Sequence, residues 1–228
     1  MKVHKFDAFG HSGETVGDVA HRRIRSDIVH GHLKPLQKLK LDALKEKYGA
    51  SVSTLREILN RLTVENLVTA EGQRGFEVAP VSQSGLRDIA ELRILLETHA
   101  IRRSLAEGDL DWQGNVVSEH YKLSQVEKNL IGGDTSMVEQ WVRQDWGFHH
   151  AVISACESPA LMEMHSSVFD RFQRYHMLVL DFRGKPAADE HQQLRDLVLD
   201  RDADGAVALL ERHVRSGVEH ILGTGRIA

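Results

Sequence analysis

Strand-like alternation occurs at one place only in this 228-residue chain. LVTA and FEVA, separated by the Gly-bearing EGQRG, read as two short strands joined by a hairpin loop. Helical segments precede them, and from Val81 onward nothing reads as a strand. The chain is therefore expected to be mainly α. Three helices followed by a small hairpin is the order of a winged helix-turn-helix, and the remainder reads as an all-α bundle.

The first helix is expected from about Val16 to His30, with Ile24 and Ile28 one turn apart, Gly31 as its cap and Pro35 as a stop. A short helix from about Leu41 to Tyr48 ends at Gly49. In SVSTLREILNRL, Leu55, Ile58, Leu59 and Leu62 fall at i, i+3, i+4 and i+7, the spacing of one buried helical face, and Ser51 suits its N-cap. Amphipathic segments then run at about 83–107, 113–131, 135–155, 158–181, 187–201 and 203–222, divided by Gly-Asp, Gly-Gly-Asp, Ser-Pro, Gly-Lys-Pro and Asp-Ala-Asp. Three parts are expected: a flexible tail at 1–14, a winged domain at 15–80 and a helical domain at 81–228.

The net charge of −4 is unevenly spread. Residues 1–80 carry 13 Lys and Arg against 10 Asp and Glu; residues 81–228 carry 16 against 23. Only the front is suited to meet phosphate. The chain has no run of about 18 apolar residues and no signal-peptide core, so a protein without a membrane span is expected. The lone cysteine, Cys156, excludes an intramolecular disulfide framework, and the compartment expected is the cytoplasm.

A helix-turn-helix sets the first residues of its second helix against base edges in the major groove of double-stranded DNA. Here those residues are Ser51, Ser53, Thr54 and Arg56. Hydroxyls suit phosphates or bases, and an arginine can grip guanine or a phosphate with two prongs. Gln73, Arg74 and Gly75 fall at the tip of the wing, where an arginine can enter the minor groove and a glycine permits close approach. Ser51 could also serve only as a cap, and Arg56 only as a surface ion-pair partner.

Residues 17–80 resemble the DNA-binding domain of the GntR family, through IRSDIVHGHLKP, YGASVSTLREILNRL and ENLVTAEGQRGFEVAP. The resemblance implies that Ser51, Ser53, Thr54, Arg56 and Gly75 approach DNA. Three positions depart from it. Leu36 replaces the usual Gly after Pro, Asp42 stands where some members carry a DNA-contacting side chain, and Val52 stands where Arg is usual. An unusual operator or weaker binding is expected.

In the helical half, polar residues sit on apolar faces. Asp145 and His149 are four apart, so they project from one helix face among Trp141, Val142, Phe148 and Val152. His191 lies near Leu194 and Val198, and His213 near Leu209 and Leu210. One Asp and three His from three helices form a mixed oxygen and nitrogen set that suits Zn, Ni, Mn or Fe better than Ca. His220, seven residues past His213, could take its place; His150 points about 100° away from His149. Arg93 falls on the apolar stripe of LRDIAELRILLETHA, where its charge needs an anionic partner. Glu97, at i+4, or the carboxylate of a ligand could supply it.

Residues 85–222 resemble the FCD ligand-binding domain of the FadR subgroup, through DWGFHH, DEHQQL and a histidine in the final helix. The resemblance implies a bundle of six or seven helices, a divalent metal held by Asp145, His149, His191 and His213, and Arg93 gripping an effector carboxylate. The expected function is a homodimeric transcription regulator, a repressor rather than an activator, controlled by a small organic acid. Its rivals are a regulator for which the metal is itself the signal, a structural metal under an unrelated pocket, and a metal-dependent enzyme. For the enzyme the sequence offers no companion nucleophile or base.

Overall fold

The computed structural model describes residues 14–70, 75–179 and 182–227. The expected tail, apart from Glu14, lies outside them, as do Gln73 and Arg74 of the wing. The chain divides into two compact units, Met1–Pro80 and Val81–Ala228.

The first unit contains α1 (Val16–Val29), α2 (Leu41–Tyr48), α3 (Val52–Val64), β1 (Val68–Ala70) and β2 (Phe76–Val78). Thr15 opens α1 with a reciprocal cap: its hydroxyl accepts from Asp18 N, and the Asp18 carboxylate accepts from Thr15 N. Gly49 closes α2 at φ 70°, a left-handed position that costs glycine little. Leu55, Ile58, Leu59 and Leu62 are all buried, in one core with Ile24 and Ile28 of α1 and Leu44 and Tyr48 of α2.

The two strands pair antiparallel, Val68 with Val78 and Ala70 with Phe76. The far edge of β2 is also covered, which the sequence reading did not anticipate. Leu36 N donates to Val78 O (3.0 Å), Val78 N to Gln37 O (2.9 Å) and Leu39 N to Phe76 O (2.8 Å). The segment between Pro35 and α2 is too short for any periodicity to declare itself. It turns into this pairing through Leu36 at φ 62°, which explains why glycine suits the position.

The second unit contains six α-helices among the described residues: α4 (Gln83–Glu107), α5 (Leu110–Ile131), α6 (Val138–Ile153), α7 (Pro159–Val179), α8 (Lys185–Leu199) and α9 (Ala203–Gly223). Helix α5 starts earlier than its apolar spacing suggests, because the Asp109 carboxylate accepts from Trp112 N at 2.8 Å and caps it. Thr135–Met137 form a 3-10 turn ahead of α6 instead of its first turn. Helix α8 begins at Lys185, since Pro186 is tolerated in a first turn where backbone N–H groups lack helical partners anyway. None of these helices is long and apolar enough to cross a membrane.

Helix α4 packs against α9, α7 and α6; α5 packs against α6 and α8; α8 packs against α9. Their shared core is apolar, with Leu86, Val116, Phe148, Phe172, Leu194 and Leu210 fully or almost fully buried. Arg93, Glu97, Glu127, Asp145, His149, His165 and His191 are buried in the same unit. Charges at such depth persist only where partners or ions meet them.

Candidate DNA-reading surface and candidate metal centre

The start of α3 is a small hydroxyl cluster. Ser51 Oγ accepts from Thr54 N at 3.2 Å and lies 2.8 Å from both Ser53 Oγ and Thr54 Oγ1. Ser51 therefore is a cap, as expected, while Ser53 and Arg56 are exposed. Thr54 is half-buried, its methyl close to Gly17 of α1. Gly75, at φ 98°, adopts a conformation that other residues rarely take. Val52 is half-buried in the first turn of α3. Asp42 is exposed in the first turn of α2, where its charge meets the positive end of the helix dipole.

In the helical unit, one ligand atom each from Asp145, His149, His191 and His213 lie within 4.8 Å of one another. Helix α6 carries the first two, one turn apart on one face; α8 and α9 carry the others. Asp145 Oδ1 is 3.2 Å from His191 Nε2 and 3.9 Å from His149 Nε2. The His191 and His213 rings are 4.6 Å apart between centroids.

Each imidazole is held from behind by a carboxylate. His149 Nδ1 is 3.2 Å from Glu97 Oε2, His191 Nδ1 is 2.6 Å from Glu127 Oε1, and His213 Nδ1 is 2.8 Å from Glu190 Oε2. A carboxylate at Nδ1 makes that nitrogen the donor and turns the Nε2 lone pair toward the other side of the ring. The Nε2 atoms of His149 and His191 are buried; that of His191 faces the Asp145 carboxylate at 3.2 Å, and that of His149 has no hydrogen-bond partner in the protein.

The electrostatics follow from this wiring. Burial would raise the Glu97 carboxyl, yet Arg93 beside it and the bonds from His149 and His165 hold it well below the usual carboxylate range. Burial likewise opposes ionisation of Asp145, but His191 and His149 keep it low. Burial and Arg93 lower His149; burial and its neighbouring imidazoles push His213 down to about 3. His191 is the exception: flanked by Asp145 and Glu127, it is raised to about 9 against the effect of burial.

Beside the cluster lies a small cavity of about 20 Å³. Asp145 and His213 form one wall; Arg93, Trp141, Phe172, His176, Arg183 and His220 contribute the rest. Arg93 Nε donates to Glu97 Oε1 at 2.7 Å, and its guanidinium lies over Phe169 and Phe172, 4.2 and 4.8 Å from the ring centroids. Its Nη2 is buried without a partner in the protein. Glu97 thus orients Arg93 and leaves part of its fork unspent.

Residues 17–78 match the bacterial regulatory proteins of the gntR family, and residues 88–216 match the FCD domain. The chain belongs to the GntR family. Among its GntR relatives, the HTH-type transcriptional regulator BphR of Paraburkholderia xenovorans (strain LB400) is 37% identical over 200 residues, covering 86% of this chain and 81% of BphR. The HTH-type transcriptional repressor GlaR of Escherichia coli (strain K12) is 31% identical over 200 residues, covering 85% of this chain and 90% of GlaR. The fold matches that of E. coli McbR/YncC with a TM-score of 0.79 at 21% identity, over 92% of this chain and 99% of that one. This GntR protein is accordingly a DNA-binding transcription regulator with an FCD domain, and not an enzyme.

The sequence reading named the four clustered side chains and Arg93, and it weighed Glu97 as the partner of Arg93. It missed Glu127 and Glu190 behind the histidines, and Trp141, His176 and Arg183 along the cavity. A glutamate on a helix reads as surface unless its partner, 64 residues away for Glu127, is known. His220 joins the cavity wall and not the cluster. His150 turns away, stacked on Trp146 at 4.7 Å.

Proposed function

We propose that this GntR regulator is a cytoplasmic homodimer that represses transcription and is controlled by a small organic acid bound beside a divalent metal. The observation that carries the reading is the convergence of His149, His191 and His213 on Asp145, each ring backed by a carboxylate at Nδ1. Without an ion the His149 lone pair is desolvated at a cost and His191 keeps a proton between two carboxylates; a metal would satisfy the first and take the place of the second. One ligand atom from each of the four residues already lies within 4.8 Å of the others, close enough for all to converge on one ion. The carboxylates at Nδ1 are the support that metal-bound histidines need.

Asp145, His149, His191 and His213 would hold the ion, with Zn, Ni, Mn and Fe all compatible with one oxygen and three nitrogens. The ion supplies a Lewis-acid position for an oxygen of the effector. Arg93, through its unspent Nη2, takes the effector carboxylate. Ser51, Ser53, Thr54, Arg56, Arg74 and Gly75 are the residues proposed to meet DNA, two winged domains serving two half-sites of the operator. Repression is favoured by the relative GlaR, which is named a repressor. Control requires that the effector bind the DNA-competent and DNA-incompetent arrangements with different affinity.

Thermal unfolding with a panel of small carboxylates, with and without chelator, tests this. An acid at a hundredfold excess over its Kd stabilises the folded protein by about 2.7 kcal/mol. A shift produced by an acid and abolished by chelator is expected. A protein destabilised by chelator but indifferent to every acid would instead make the metal structural or the signal itself.

A further inference from the structure

We propose that Tyr175 is the positioning residue that carries movement of the cavity wall to the root of the chain leading to the DNA-reading unit. This rests on the acid-sensing reading and adds the route of its control. The cavity, at about 20 Å³, has room for about one water, so an acid can enter only by displacing a wall. Helix α7 is a wall that a ligand has reason to engage. Its Phe172 and His176 line the cavity. His176 Nδ1 and the neighbouring Trp141 Nε1 are both buried without a hydrogen-bond partner in the protein.

Phe172, Tyr175, His176 and Val179 fall at i, i+3, i+4 and i+7, on one face of α7. Tyr175 is buried, and it continues that face from the cavity to the first turn of α4. Its hydroxyl meets the Ser82 backbone, and a Cβ at Gly85 would lie only 2.9 Å from it. A second tie runs alongside. Arg226 donates to Val179 O at the end of α7, and Gln83 Nε2 donates to Ile227 O at 3.2 Å. Ser82 is also the cap of α4, its Oγ accepting from Gly85 N at 3.0 Å. Just before it, Val81 packs against the core of the helical unit. Within the winged unit, Ala79 N donates to Leu67 O at 3.0 Å. Only Pro80 separates the two anchorages, and its ring fixes φ. A shift of Ser82 therefore meets little slack, and close-packed helices transmit displacement instead of absorbing it.

The test uses the full-length, metal-loaded protein and a DNA duplex selected in vitro from a random pool. His176→Leu perturbs the cavity wall without any ligand. It should change the Kd for that duplex by about fivefold or more, the lower end of a typical coupling. In a Tyr175→Phe background the same substitution should change it by less than about twofold, the mark of a coupled pair in a double-mutant cycle. Tyr175→Phe should leave the Kd of the metal unchanged. Gly85→Ala is the second variant, should Tyr175→Phe not fold. Its Cβ displaces the hydroxyl, yet alanine is the better helix former. It should break the coupling without lowering the unfolding midpoint, a result that a merely structural role would not give. A response to His176→Leu that is equal in every background, or absent from the wild type, would overturn the route. If small carboxylates still shift the unfolding of the wild type, acid sensing then stands without it. If none of them does, both fail.

Discussion

Glu127→Gln separates a metal centre from a merely hydrogen-bonded histidine cluster. Glu127 is 2% exposed and its carboxylate lies 2.6 Å from His191 Nδ1, while His191 Nε2 faces Asp145 at 3.2 Å. Glutamine keeps the shape and an acceptor oxygen but removes the charge that makes His191 a strong ligand. Loss of such a supporting carboxylate typically costs 10- to 100-fold in metal affinity, about 1.4–2.7 kcal/mol at 1.36 kcal/mol per decade. Competition against a chromophoric chelator measures it directly. With metal in excess the same loss lowers the unfolding midpoint by roughly 3–10 °C for a chain of this size, and chelator should shrink the gap between variant and wild type. Glu190→Gln should cost less, near the tenfold end, because Glu190 is 16% exposed and divided between His213 and Arg183. The reasoning fails if Glu127→Gln binds metal within twofold of wild type, or if its stability loss is identical with and without metal. Glu127 would then be the counter-ion of a buried imidazolium and nothing more.

Leu36→Gly should stabilise the N-terminal unit by about 0.5–1 kcal/mol, since relief of the left-handed strain outweighs the added freedom of the unfolded chain and the side chain is 60% exposed. A lower denaturant midpoint would show that Leu36 contributes packing its exposure hides. Val52→Arg, in the first turn of α3, should add one phosphate contact, steepening the log–log salt dependence of operator binding by about 0.9; an unchanged slope would place that turn away from the backbone. Burial and Arg195 hold His120 down at about 4, so the folded unit resists its protonation. Its contribution to stability is complete above about pH 6.5 and lost as pH falls toward 4, because the unfolded chain binds the proton first. His120→Gln should flatten the unfolding midpoint against pH across that window, and an unaltered profile would assign the acid sensitivity elsewhere.

Helices were legible wherever one face alternates with the next turn, as in Leu55, Ile58, Leu59 and Leu62, all buried. The pair Asp145 and His149 was legible for the same reason: a four-residue spacing fixes a shared face before any tertiary contact is known. The partners of these groups were not. Glu190 adjoins His191 in sequence yet serves His213, because neighbouring helical residues point about 100° apart. Trp141 was legible only as an apolar neighbour of Asp145, since nothing in a sequence shows that an indole N–H will lack an acceptor. The strand-like pairing of residues 36–39 was hidden by brevity and is betrayed only by the backbone sign at Leu36.

His149 and His191 are closed off, while Asp145 and His213 keep 10% and 12% of their side-chain surface exposed and both line the cavity. Short of a local opening of the helices, an ion held there would have one way out, through that cavity. An acid seated in the cavity would stand across the exit and slow the loss of the ion. The occupancy of one ligand would then set the lifetime of the other.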